Sequence, residues 1–459
     1  MERFKKLLMR IDMTEGTPWK KLAIFAVPMI IGNIFQQLYS ISDAIILGRF
    51  IGDYALAAIG SSMPLFFLII VIMMGVSMGV SIMVSQYFGA KDRDGISYTV
   101  GNGITLVALI GVVMMAVGPF LSRPLLVLLG TPVEILDDSV MYMNILLIGI
   151  LGMAYFNILS GVLRGLGDSF SPLVYLIVSN ILNIAFNFLF IAVLGWGMPS
   201  VAVGTVLAQG LSSLLCLSRL MKMQDTFDMG LKYLRPKKEY VKKIMKLGVP
   251  SGVSQGIIAI GIMIVQPLVN SFGPMVIATN VIVMRIDGLV MMPIFSFSNA
   301  MTIYTGQNMG AGKIDRISKG TKQGAILAVT VCAALVAIIL IFGRFIAEAF
   351  TTTEEVIDLS QQLLRILAPG FLALTLAMVL WGTIRGAGDA IYPMWAAIIN
   401  TIVIRIPSAY LFVHFLGRPE AIMFSMITAW TVNMIFSIVV YRMGKWKTKG
   451  IINNAKNDS

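Results

Sequence analysis

His414 is the only histidine in this chain of 459 residues, and Cys216 and Cys332 are its only cysteines. No metal-ligand spacing and no nucleophile–base pairing occurs among them, which excludes the common His/Cys metal sites and argues against an enzyme. Both cysteines lie inside apolar segments in opposite halves and read as buried thiols rather than a disulfide. His414 falls near the end of another such segment, an interfacial place rather than a catalytic one. Charge is scarce as well. Only 13% of the residues are charged against 57% hydrophobic, with a mean hydropathy of +0.86, which does not describe soluble domains. The net charge of +12 does not point to nucleic acid, because the basic residues fall in short clusters between apolar stretches, where they act as topology signals. Long polar connections are equally rare, the one of any length running from Gln224 to Lys243 around Pro236.

What the chain has in quantity is apolar runs. A helix needs roughly 20 apolar residues to cross the hydrocarbon core. Twelve runs approach that length, near 21–48, 54–84, 98–118, 139–162, 172–193, 199–220, 245–270, 276–305, 320–342, 359–382, 393–413 and 420–441. The second follows the first almost at once with no small-residue cleavage site between them, so the first is expected to remain a span and not a removable signal peptide. Lys and Arg gather before the first run (Arg3, Lys5, Lys6, Arg10, Lys20, Lys21), between Lys222 and Lys246, and in the tail (Arg442, Lys445, Lys447, Lys449). An even number of spans separates these clusters, which places all three, with both termini, on the cytoplasmic side of the cell membrane.

The domains expected are an amphipathic N-terminal helix over 1–20, a six-helix lobe over 21–221, a cytoplasmic linker over 222–244, a second lobe over 245–441 and a cytoplasmic tail over 442–459. In the first of these, Phe4, Leu7, Leu8 and Ile11 repeat at helical spacing among basic residues, which suits an anchor on the inner membrane surface. The fold class is all-α and integral to the membrane. Twelve transmembrane helices form two six-helix lobes related by a pseudo-twofold axis along the membrane normal, since matched spans run in the same direction.

The halves repeat each other in detail. Leu163-Arg164-Gly165-Leu166-Gly167-Asp168, followed by Pro172, returns as Ile384-Arg385-Gly386-Ala387-Gly388-Asp389, followed by Pro393. Gln86, Gly89 and Ala90 return as Gln307, Gly310 and Ala311, and Pro28 as Pro250. A duplicated unit of this length is the mark of a transporter built from two halves. The Arg-Gly-x-Gly-Asp turns read as tight reversals: glycine stops one helix, Asp caps the next and Pro opens it. Arg164 and Arg385 also stand as candidates for gating contacts. Gly310-Ala311-Gly312-Lys313 is not a phosphate loop, because Ile314 stands where Ser or Thr would bind magnesium and no strand precedes it. Gly75-x-x-x-Gly79 and Gly252-x-x-x-Gly256 suit close helix packing.

Ionisable residues within spans are the rarer signal, since a charge at the bilayer centre costs at least ~2.5 kcal/mol. Asp43 lies in the first span, where Gln36, Tyr39 and Asp43 share one helical face; Asn180, Asn183 and Asn187 form a similar stripe in the fifth. Two polar stripes in one lobe are best satisfied by facing each other, and Asn157 in the fourth span can join them. Burial disfavours the charged carboxylate, so Asp43 is a group that can take up or release a proton as its exposure alternates. The second half carries Arg285 and Asp287 in the eighth span and Arg405 in the eleventh. Residues two apart do not face each other on a helix, so Arg285 and Asp287 are expected to find partners on other helices.

Pro28 followed by Asp43, Gln86-Tyr87-Phe88-Gly89-Ala90, Gln307-Asn308-Met309-Gly310-Ala311 and the paired Arg-Gly-x-Gly-Asp turns, set in twelve spans, resemble the MATE family of multidrug and toxic compound extrusion transporters, closest to its bacterial MepA-like branch. The resemblance covers nearly the whole chain. It implies a secondary active antiporter exporting organic cations and amphiphilic compounds in exchange for H+ or Na+. It also implies that Asp43 is the coupling acid with Asn183 beside it and that Gln36 and Tyr39 belong to the substrate cavity; on the polar pattern of the spans Asn187 joins the ion site, and Asn157, Asn180 and Gln255 the cavity. Arg285, Asp287, Arg405, Arg164 and Arg385 remain as a gating or charge network. Where many relatives carry Asp this chain has Asn187, and the acids that some place in the seventh and tenth spans have no counterpart, Gln255 being the nearest polar group in the seventh. These departures weigh against a multi-carboxylate sodium site and favour a proton, for which one carboxylate suffices. No cofactor, resident metal, nucleic acid or obligate protein partner is expected beyond small amphiphilic substrates and membrane lipid. The rival reading is a flippase for lipid-linked saccharides on the same two-lobe plan, whose central cavity would be more cationic than this mixture of Asp43, Asp287, Arg285 and Arg405.

Overall fold

The computed structural model describes residues 10–452, apart from the side chains of residues 39–41, 43–45, 53 and 192. Among the described residues the chain is helical throughout, without strands. Eleven helices are long and apolar enough to cross a membrane, and the bent pair Val133–Ile148 and Ile150–Gly165 makes twelve. In chain order the first six spans are Pro18–Phe50, Asp53–Gly89, Arg93–Leu128, that bent pair, Phe170–Phe188 prolonged by a π-helical turn Leu189–Val193, and Pro199–Met221. The second six are Lys238–Asn270, Pro274–Gly310, Ile314–Glu348, Glu354–Gly386, a compound eleventh span and Glu420–Met443. The eleventh consists of Ile391–Ile398, a π-helical stretch Ile399–Arg405 and Ile406–Leu416.

Several helices outrun the apolar runs that forecast them, because polar residues at their ends continue the backbone bonding. The second reaches Gly89 and so carries Gln86 inside it, and the seventh begins at Lys238, within the stretch 222–244 expected to be linker. The fourth span, expected as one helix, bends by 51° at Gly149. A Cβ there would lie 2.3 Å from the Val206 side chain, so glycine lets the fourth span approach the sixth at the bend.

The helices gather into two units. Among the described residues one holds Ile31–Gly252 with Arg10 and Ile11; the other holds Asp12–Ile30 with 253–452. The opening of the first span thus belongs with the second unit and the opening of the seventh with the first.

In the first unit, close approach of small residues packs the seventh span's opening. A Cβ at Gly75 would meet the Gly248 carbonyl at 2.6 Å, and one at Gly79 the Ile244 carbonyl at 2.5 Å. The connection before it is strapped onto the third span. Arg93 donates to both Asp228 oxygens at 2.7 and 3.2 Å, the Asp228 amide donates to Ser97 Oγ at 2.8 Å, and Tyr233 Oη donates to Asp94 at 3.0 Å. Asn102 donates Nδ2 to the Tyr233 carbonyl and accepts the Lys237 amide at 2.6 Å. In the second unit the segment leading to the first span is held in a similar way. The Met13 amide donates to Gln307 Oε1 at 2.9 Å, and its carbonyl accepts from Asn308 Nδ2 at 3.1 Å and from Arg316.

The amphipathic helix expected over 1–20 falls partly outside the described residues, as do Phe4, Leu7 and Leu8. Of its described part, 10–17 is not helical and 18–20 open the first span. Asp12 there accepts the Thr14 amide and hydroxyl at 2.8 and 2.7 Å, a turn that competes with the helix.

Both Arg-Gly-x-Gly-Asp turns have the geometry of a helix stop joined to a helix start. Gly167 and Gly388 sit at φ 87° and 104°, the left-handed region. Asp168 accepts the Ser171 amide and hydroxyl and pairs with Arg219 at 3.2 Å; Asp389 accepts the amides of Ile391 and Tyr392. The Lys313 amine, read above as no phosphate ligand, donates to the Thr14 carbonyl at 3.0 Å. Cys216 and Cys332 are free and buried.

Candidate functional site

In the first unit the fifth span carries its asparagines inward. Asn180, Asn183 and Asn187 are 7%, 1% and 0% exposed. Buried amides in a lipid setting require partners, and here they form a chain: Asn187 Nδ2 donates to Asn183 Oδ1 at 2.9 Å, and Asn183 Nδ2 donates to Thr205 Oγ1 of the sixth span at 3.1 Å. Asn180 Nδ2 reaches the first span and donates to the Phe35 carbonyl at 3.1 Å. Farther along, the rings of Phe50 and Phe188 meet edge-on at 6.3 Å. These two ties bracket residues 36–49 of the first helix, which carry Asp43, and 181–187 of the fifth, which hold Asn183 and Asn187. The π-helical turn at Leu189–Val193 follows directly, a local widening of a kind frequent at functional sites.

The side chains of Tyr39 and Asp43 lie outside the described residues; their backbone continues the first helix. Gln36 is exposed. Asn157 does not extend the asparagine chain, because its Nδ2 turns back to the Met153 carbonyl of its own helix at 2.9 Å. Gln255 is half-buried in the seventh span.

In the second unit Asp287 and Arg405 are partly buried on different helices, while Arg285, two residues from Asp287, is exposed on another face. Arg385 donates Nη2 to Ser298 Oγ at 2.8 Å, next to the point where a Cβ at Gly382 would strike the Ser298 carbonyl at 2.3 Å. That is a packing contact between the tenth and eighth spans. Arg164 is half-buried near the end of its helix. Reading by residue type and α-helical spacing missed three participants. Thr205 is one hydroxyl among many in apolar spans, Arg219 stands far in sequence from Asp168, and Asn400 shares a face with Arg405 only because the stretch between them is π-helical.

The chain is 29% identical to a probable multidrug resistance protein, YoeA, of Bacillus subtilis over 90% of its length and 91% of that protein. To the multidrug export protein MepA of Staphylococcus saprophyticus it is 21% identical over 93% of its length and 94% of that protein. Among solved structures it superposes with a TM-score of 0.89 and 25% identity on a MOP superfamily transporter from Pyrococcus furiosus, described as having a binding pocket of reverse polarity that suggests a different function. The match covers 96% of this chain and 98% of that one. The sequence model of the MatE family matches twice, over residues 28–189 and 250–411, beginning once at Pro28 and again at its counterpart Pro250. With most of each half matched, this chain is a multi-pass membrane transporter that belongs to the MatE family, the family of multidrug efflux transporters.

Proposed function

We propose that the chain is a secondary active antiporter that exports cationic and amphiphilic compounds in exchange for an inward-moving ion, with Asp43 as the coupling group. The observation that carries this reading is the buried Thr205–Asn183–Asn187 chain, with Asn180 of the same stripe bonded to the first span, the helix that carries Asp43. Such a chain can exchange hydrogen bonds with a carboxylate as the latter gains and loses a proton. Coupling requires that protonation and substrate favour different states of one bistable lobe. A proton fits better than Na+, because a single carboxylate suffices for a proton whereas Na+ wants several oxygens around it. On this reading the ion is the only co-reactant, no cofactor or obligate protein partner takes part, and both termini face the cytoplasm of a bacterial cell.

The test is efflux from a pump-deficient host. Asp43→Asn is expected to abolish drug resistance while the protein still reaches the membrane and remains folded; undiminished resistance would overturn the carboxylate mechanism. In sealed vesicles, a pH gradient without sodium is expected to drive uptake, and a sodium gradient without a pH gradient is not.

A further inference from the structure

The second unit holds a charge pair that the coupling scheme does not use. Asp287 on the eighth span and Arg405 at the close of the π-helical stretch lie near enough to act on each other's charge. They form no ion pair, and Asp287 Oδ1 and Arg405 Nε are both buried without a hydrogen-bond partner. Asn400 Oδ1 is a third atom in that condition. Asn400 stands five residues before Arg405 within Ile399–Arg405, and a π-helix bonds residues about five apart, so the two share a face. The stretch is pinned in place, because a Cβ at Gly261 on the seventh span would lie 2.2 Å from Thr401 Cγ2.

A purely structural pair would be served best by direct contact, since separated buried charges leave the desolvation of both uncompensated. Access is through the remaining head-group atoms, since Asp287 Oδ2 and the Arg405 Nη atoms are not among the buried atoms without a partner and both residues are only partly buried. A bare cation would be opposed by Arg405 and a simple anion by Asp287. A ligand carrying both charges complements both, with its cationic end on the Asp287 carboxylate and its anionic end on the Arg405 guanidinium beside Asn400.

We propose that Asp287, Asn400 and Arg405 form a binding subsite for zwitterionic amphiphiles. This rests on the reading of the chain as an exporter of amphiphiles and narrows the compounds it takes.

The test uses the full-length purified protein in detergent and two dyes followed by fluorescence polarisation at neutral pH. Rhodamine B carries a delocalised cation and a free carboxylate; its ethyl ester keeps the cation alone. The unaltered protein is expected to prefer rhodamine B by about fivefold or more, a difference on the order of one charge-assisted contact. Arg405→Gln is expected to bring the ratio to about one, and Arg405→Lys to restore part of the preference, which a misfolded protein would not do. Asp287→Asn weakens both dyes. Equal binding of the two dyes by the unaltered protein, or a preference that survives Arg405→Gln, overturns the proposal. Binding is read without an ion gradient, so a null result here leaves the Asp43 efflux test standing, and failure of that test leaves this ratio to be read on its own.

Discussion

Gly204 of the sixth span stands so close to Asn187 of the fifth that a Cβ at position 204 would lie 2.4 Å from Asn187 Oδ1. No unstrained carbon–oxygen contact is that short, and Asn187 cannot simply swing away while its Nδ2 remains bonded to Asn183. Glycine at 204 is therefore part of how the asparagine chain is seated.

Gly204→Ala is accordingly expected to displace Asn187, at a cost of about 1–3 kcal/mol typical of overpacking, and to lower dye efflux several-fold with the protein still in the membrane. Gly210→Ala on the same helix is the control, since a Cβ there meets nothing within 4 Å. Equal efflux from the two variants would separate the asparagine chain from transport.

The paired turns predict an asymmetry. Asp168 is 1% exposed, caps its helix twice and pairs with Arg219, whereas Asp389 caps with longer bonds and has only the exposed Lys449 amine at 3.9 Å. Losing a cap costs about 1 kcal/mol, and losing a bond to a charged partner adds about 1.5–3 kcal/mol. Asp168→Ala should therefore lower the thermal midpoint more than Asp389→Ala, read by the temperature dependence of monodisperse elution. A larger loss at Asp389 would contradict the assignment.

The repeat in the sequence revealed these turns and the two-half plan, because glycine, Asp and Pro mark helix ends through backbone geometry that needs no tertiary context. Most spans were legible for a similar reason, as lipid demands long apolar helices. The bend at Gly149 was not, since a glycine in an apolar run looks the same whether it bends a helix or seats a neighbour. Nor was the exchange of the opening segments of the first and seventh spans, which depends on long-range contacts such as Gly75 with Gly248 and Met13 with Gln307. At the candidate site, the stripe Asn180–Asn183–Asn187 was visible from α-helical periodicity. Arg405 stood out as a charge within a span, but its common face with Asn400 did not, because that face exists only in π-helical winding.

The strap before the seventh span is sensitive to acid. The hydrogen bonds from Arg93 hold the Asp228 carboxyl below the usual carboxylate range. Burial works to raise Asp225, but the bonds from Arg10 outweigh it and its carboxyl is held low as well. Both folded values lie below the unfolded ones, so the stabilisation is fully present above about pH 4, the ordinary carboxylate value, and is lost as the pH falls through the depressed values. A spin label on Met229→Cys should be immobilised at neutral pH and gain mobility in acid, and Arg93→Gln should free it already at neutral pH. A label whose mobility ignores both changes would show that the ion pairs do not hold the strap.

The clip on Met13 gives the sharpest local test in the second unit. Met13 is fully buried, its amide is taken by Gln307 and its carbonyl accepts from Asn308 and Arg316. These bonds lie just ahead of the first span, so weakening them should open the chain around Lys20 and Lys21 before the helices themselves unfold. Asn308→Ala removes the bond to Met13 and a second one to the Tyr304 carbonyl, a loss of about 1–3 kcal/mol. Met13→Ala empties a buried site at about 2–5 kcal/mol. Trypsin at a temperature well below unfolding should then cut after Lys20 or Lys21 faster in both variants than in the unaltered protein. Thr14→Ala, which leaves the Met13 bonds in place, should be cut more slowly than either. If cleavage in the first two rose only when the whole protein melted, the clip would be part of the global fold and not a separately opening latch.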